Sequence, residues 1–125
     1  MSPTARARAA EIAVAAAFAA AAAALFGEDR PWQYLVAWLA VHVAYGLVSG
    51  SFWALVVALT CPPLFVAGLK PDEGGDTALW VQAVFVGAFY GVPLTFVGVV
   101  ARRLWRLRRA AAALRDEPEP EQSGR

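Results

Sequence analysis

One cysteine, one histidine, one methionine and one lysine stand in these 125 residues. With a lone Cys61 no intrachain disulfide can close, and the compartment cannot be read from cysteine usage. One His and one Cys give no metal-ligand spacing, so no metal site and no cofactor is expected. Charge is scarce too: 17% of residues are charged, against about a quarter in a usual soluble domain. No Asp, Glu, Lys or Arg lies between Pro31 and Leu69, and none between Ala78 and Ala101. A soluble helical fold needs charge spread along such stretches to make a solvated face. Their absence predicts an all-α integral membrane protein whose helices face lipid.

The chain also lacks any phosphate-binding glycine loop, H-E-x-x-H or G-x-S-x-G pattern. No internal repeat is visible. Without a catalytic set, no enzyme activity is expected.

Apolar residues make up 59% of the chain. A helix crossing a ~30 Å hydrocarbon layer needs about 20 of them in a row. The first candidate span covers about residues 9–26 and is rich in alanine. Gly27 and Glu28-Asp29-Arg30-Pro31 follow as a stop. The same pattern of basic residues, apolar run and small residues also describes a signal peptide cleaved within Ala20 to Ala24; retention as a span is the preferred reading. The stretch from Pro31 to Leu69 would measure roughly 58 Å as one helix, about twice the membrane. It must turn back, best at Ser49-Gly50-Ser51, giving spans over 32–48 and 52–69. Pro62-Pro63 is the rival break. Lys70 to Asp76 reads as a loop, and a last span covers 78–101.

Arginine placement sets the orientation. Arg6 and Arg8 precede the first span, and Arg102, Arg103, Arg106, Arg108 and Arg109 follow the last. Basic flanks favour the cytoplasm, so both ends should lie inside, which requires an even number of spans. The expected fold is therefore a single four-helix transmembrane domain over 1–115, N-in and C-in. Trp32, Tyr34 and Trp80 would mark the outer interface, Trp53 and Trp105 the inner one. Residues 102–115 continue the last helix as a basic extension that contacts anionic lipid, each arginine contributing about 1 kcal/mol near the surface. Residues 116–125 are acidic, contain proline and read as a disordered tail. Nothing suggests a nucleic-acid-reading module. The arginine-rich, alanine-rich composition suits a multi-pass protein of a bacterial inner membrane.

Small residues at helical spacing are candidate packing positions: Gly46 and Gly50 in the second span, and Ala83, Gly87, Gly91 and Gly98 in the last. They serve either packing within the bundle, the favoured reading, or a homo-oligomer interface. Pro62, Pro63 and Pro93 remove backbone donors and should kink their helices, with Thr60 and Thr95 near enough to help the freed carbonyls. Cys61 reads as a packing residue.

His42 is the one ionisable residue deep in a span, on the face that carries Trp38, Gly46 and Ser49. Such residues often mark ion or proton paths, although a neutral imidazole can simply satisfy a carbonyl; the structural reading is preferred. Glu11 is the candidate partner, more simply explained by its place in the first turns of its helix. His42, Glu11, Ser49, Thr60 and Thr95 are the candidate polar-core positions. The expected function is a non-enzymatic, self-associating protein or accessory subunit of a membrane complex. The alternative is a homo-oligomeric transporter, channel or holin-like pore with His42 in its path.

Overall fold

A computed structural model describes residues 2–26, 31–70, 77–118 and 120. These form four helices and no strand: α1 (Pro3–Leu25), α2 (Trp32–Ser49), α3 (Trp53–Leu69) and α4 (Leu79–Asp116). The expected turn at Glu28 to Arg30, most of the loop after Lys70 and the last five residues lie outside the described residues.

Local chemistry accounts for the helix ends. Helix α1 starts at Pro3, earlier than the apolar run suggested. The Ser2 hydroxyl accepts the Ala5 N–H at 3.2 Å, and Pro3 occupies a first-turn position where no N–H is needed. Helix α2 stops at Gly50, whose φ of 59° is left-handed and whose N–H reaches the Gly46 carbonyl at 2.9 Å. So the chain reverses at Ser49 to Ser51, and the rival break is excluded. Pro62 and Pro63 lie inside an unbroken α3.

Helix α4 contains a five-residue π turn, Gly87–Gly91, in which the Val92 N–H bonds the Gly87 carbonyl. Pro93 follows at once and offers no N–H to the Phe89 carbonyl. Here the expected proline disturbance takes the form of a change in helical register. The helix then runs unbroken through the arginine cluster to Asp116. At about 1.5 Å per residue its 38 residues exceed a ~30 Å hydrocarbon layer, so the basic part projects beyond any such layer.

Helices α1 and α4 stand diagonally across the bundle. Each packs against α2 and α3, and α2 packs most extensively on α4. The α2–α4 crossing is backbone against backbone: a Cβ on Gly46 would stand 3.0 Å from the Gly98 Cα. Alanine does the same work on α1, where Ala19, Ala22 and Ala23 are buried. The Phe18 and Tyr45 rings stack at 4.1 Å between α1 and α2.

By length and composition, α1 and α4 can each cross a membrane; α3 is apolar over 17 residues. Large apolar side chains cover the outside of the helices, among them Leu35, Leu64, Phe85 and Phe89, all more than half exposed.

Candidate functional site

Helix α2 carries His42 into the middle of the bundle, where it is fully buried. Its Nδ1 lies 2.8 Å from the Trp38 carbonyl, one helical turn back. A carbonyl only accepts, so Nδ1 carries a proton and donates it. The ring packs against Trp38 at 4.1 Å between centroids and meets Phe18 edge-on at 5.0 Å. On the α4 side it abuts Gly91, where a Cβ would stand 2.8 Å from Nε2. Gly91 is thus the gap in α4 that admits the imidazole. No atom of the described residues hydrogen-bonds Nε2.

A space of about 10 Å³ adjoins His42 at the centre of the bundle. Its walls come from all four helices and include Ala22, Ala58, Pro62, Ala83 and Gly87. No acidic side chain contributes to them.

The expected partner does not reach this centre. Glu11 is exposed on α1 and makes no hydrogen bond to either ring nitrogen of His42. Thr95 is fully buried, but its hydroxyl donates to the Gly91 carbonyl at 2.8 Å. Thr60 is exposed and donates to the Val56 carbonyl at 2.7 Å. Neither threonine therefore serves a carbonyl released by proline, which corrects the expectation; those carbonyls, four residues before each proline, are Ala58, Leu59 and Phe89. Ser49 is half-buried at the α2 terminus, away from His42 in the helix by seven positions. Cys61 is half-buried with its Sγ 3.8 Å from the Thr60 hydroxyl. Among the described residues no three His, Cys, Asp or Glu side chains gather as a metal site.

The small-residue positions of α4 turn inward. Ala83, Gly87, Gly91, Thr95 and Gly98 are buried, as is Gly46 on α2. Gly46, Gly91 and Gly98 are tight, whereas a Cβ on Gly87 would meet only the Ala58 carbonyl oxygen, at an ordinary 3.7 Å. This stripe is used up inside the bundle.

The arginines divide. Arg102 folds back on α2, its guanidinium donating to the Leu47 carbonyl at 2.7 Å and to the Val48 carbonyl. Arg103 stacks over the Phe52 ring at 4.2 Å and Arg109 over the Trp105 ring at 3.8 Å. Arg106 and Arg108 are exposed. At the other end of the bundle the Lys70 ammonium donates to the Phe26 carbonyl that closes α1. Each end thus has a cation from a neighbouring helix on the carboxyl terminus of another, where the macrodipole is negative.

Sequence reasoning missed Arg102 and Lys70 as caps, and it missed Tyr90. That side chain is 62% exposed at the middle of the uncharged run of α4, beside exposed Phe89, and its hydroxyl has no hydrogen-bond partner among the described residues. Comparison with protein-family models, with curated proteins and with solved structures returned no match.

Proposed function

We propose that this chain is a four-span membrane protein with both termini in the cytoplasm, and that it acts by lateral association in the bilayer rather than by catalysis. The observation that carries the reading is the outer surface. Between the capped ends, that surface carries exposed Leu, Val, Phe and Trp side chains on α2, α3 and α4 and mostly alanine on α1, which hydrocarbon solvates better than water does. The basic extension of α4 then lies at a cytoplasmic surface, where Arg106 and Arg108 face anionic headgroups.

Association follows from the outer face of α4. The inward stripe of α4 is taken up by α2 and α3, so contact through α4 with another chain falls to its outward side. There Phe85, Phe89 and Tyr90 form an exposed aromatic ridge. A phenol hydroxyl at mid-membrane depth is costly without a partner, and the belts where tyrosine is at home lie at the interfaces. A polar group on the adjoining helix of a second copy, or of a larger membrane complex, satisfies it.

The test is photocrosslinking from position 90 in native membranes, joined to cysteine labelling at Ser2→Cys and Ser123→Cys in a Cys61→Ser background. The expected result is a crosslinked species and modification of both sites from the cytoplasmic side only. Crosslinks from Val97 or Leu64 but none from position 90 would remove the ridge; opposite sidedness of the two cysteines would remove the four-span topology.

The unpartnered Nε2 of His42 is what a transport or pore reading draws on. The space beside it is about 10 Å³ and no second ionisable side chain lines it, which favours association. Ion flux in proteoliposomes that disappears in His42→Ala would reverse that preference.

A further inference from the structure

Two hydrogen-bond acceptors point to one occupant at the bundle centre. The first is His42 Nε2. Nδ1 holds the proton that binds the Trp38 carbonyl, so in the neutral ring Nε2 offers a lone pair, and it is fully buried without a partner. The second is the Ala58 carbonyl of α3. Its α-helical donor would be residue 62 and its π-helical donor residue 63. Both are proline, so neither the α-helical nor the π-helical continuation supplies an N–H to it, and only a poorer i→i+3 bond from Cys61 is left. That oxygen looks toward Gly87 of α4, and Ala58, Pro62, Gly87 and His42 all wall the same small space.

We propose that this space is a built site for a single water molecule, which donates one hydrogen to His42 Nε2 and the other to the Ala58 carbonyl. The volume matches: about 10 Å³ is close to the minimum that admits one water centre. The chemistry matches as well, because two acceptors whose residues wall one small space need a double donor. A metal cation would also suit two acceptors, but no carboxylate lines the site and Glu11 is exposed elsewhere on α1. A cation there would stand unpaired in an apolar interior. A neutral water incurs no such cost.

The site explains three sequence features together. The double proline strips the carbonyl, Gly87 leaves the room, and the single histidine supplies the opposing acceptor. Helices α2 and α3 come together less than the other neighbouring pairs, and the water is the polar link between them. The inference rests on the bundle alone and is independent of how the outer surface associates.

Because the chain has one histidine, ring labelling gives an unambiguous probe. Full-length protein with a ¹⁵N,¹³C-labelled imidazole is reconstituted in lipid bilayers, and magnetisation transfer from water to the ring is measured by solid-state NMR. The methyls of Val99, fully buried elsewhere in the core, give the dry reference. The expected spectrum is a neutral ring protonated at Nδ1, with transfer several-fold above that reference. Gly87→Ala puts a methyl into the space at ordinary contact distance and should bring transfer down to the Val99 level with the helices intact. Pro62→Ala restores an N–H for the Ala58 carbonyl and should lower transfer as well. A ring as dry as Val99, a proton on Nε2, a ring signal that follows sodium concentration, or transfer unchanged in Gly87→Ala would each overturn the proposal. Loss in Gly87→Ala with full retention in a folded Pro62→Ala would overturn Ala58 as the second partner. If Pro62→Ala does not fold, Gly87→Ala decides the matter alone.

Discussion

Gly46 of α2 and Gly98 of α4 each occupy the room a side chain would take from the other: a Cβ on Gly98 would stand 2.8 Å from the Leu47 nitrogen, and one on Gly46 would stand 3.0 Å from the Gly98 Cα. The obstacle is backbone on both sides, so no rotamer change relieves it. In lipid, where burial from water contributes little between helices, close approach of this kind is a main source of cohesion.

Gly98→Ala and Gly46→Ala should therefore destabilise the fold by about 1–3 kcal/mol each, the usual range for overpacking. Gly68 is the counter-case. It lies within α3, and a Cβ there meets nothing within 4 Å. Gly68→Ala should gain about 0.5–1 kcal/mol, because glycine loses more chain entropy than alanine in a helix. Thermal unfolding in mild detergent reads both. Equal Tm values for Gly98→Ala and Gly68→Ala would contradict the crossing.

A second pair sits at the α2 terminus. Gly50 has φ of 59°, a conformation costing an L-residue about 1–2 kcal/mol. A Cβ on it would also stand 2.7 Å from the Arg102 Cδ. Gly50→Ala should lower stability by at least the conformational cost and displace the guanidinium from the Leu47 and Val48 carbonyls. Arg102→Ala removes that cap and should cost about 1 kcal/mol. The double variant should cost less than the sum of the two, since the clash disappears with the arginine. Strict additivity in a double-mutant cycle would show that the side chains do not interact.

Much of this architecture is legible in the sequence. Charge-free runs place α2, α3 and the first part of α4, and Ser49-Gly50-Ser51 marks the reversal because only that glycine offers an αL cap next to a serine on each side. The inward face of α4 follows from Ala83, Gly87, Gly91, Thr95 and Gly98. What periodicity cannot give is the partner: that Gly98 meets Gly46, and that Gly91 makes room for His42, depend on how two helices cross. The π turn is hidden for the same reason, since α-helical spacing assumes a constant register. The helix start at Pro3 was readable in Ser2-Pro3 but lay outside the apolar run. Arg102 reads as one more basic residue because nothing in its neighbourhood in sequence shows that α2 ends beside it, 55 positions away.

His42 separates packing from polarity. His42→Phe keeps a ring between Trp38 and Phe18 and loses the hydrogen bond to the Trp38 carbonyl, which still lies within helix α2. Its cost should be about 1 kcal/mol. His42→Ala empties a fully buried position and should cost about 2–5 kcal/mol. The check is again unfolding in detergent, with both variants measured against wild type. Similar losses in the two would mean that the polar contacts of the imidazole, rather than its volume, hold the centre.

Lys70 tests the caps at the opposite end. Its ammonium donates to the Phe26 carbonyl and lies 3.5 Å from the Ala24 carbonyl, so it closes the last turn of α1 from the terminus of α3. That turn already lacks helical donors for its final carbonyls, and no basic residue of α1 itself stands there. Lys70→Met keeps the aliphatic stem and removes the charge. The expected effect is local: amide exchange at Ala22 to Phe26 accelerates by a factor of about 2–5, the equivalent of 0.5–1 kcal/mol for a cation at a helix terminus, while exchange in the middle of α2 is unchanged. Lys70→Arg should restore protection, because a guanidinium of similar reach donates to the same oxygens. Acceleration spread evenly over all four helices would mean that Lys70 supports the whole bundle instead of the end of α1.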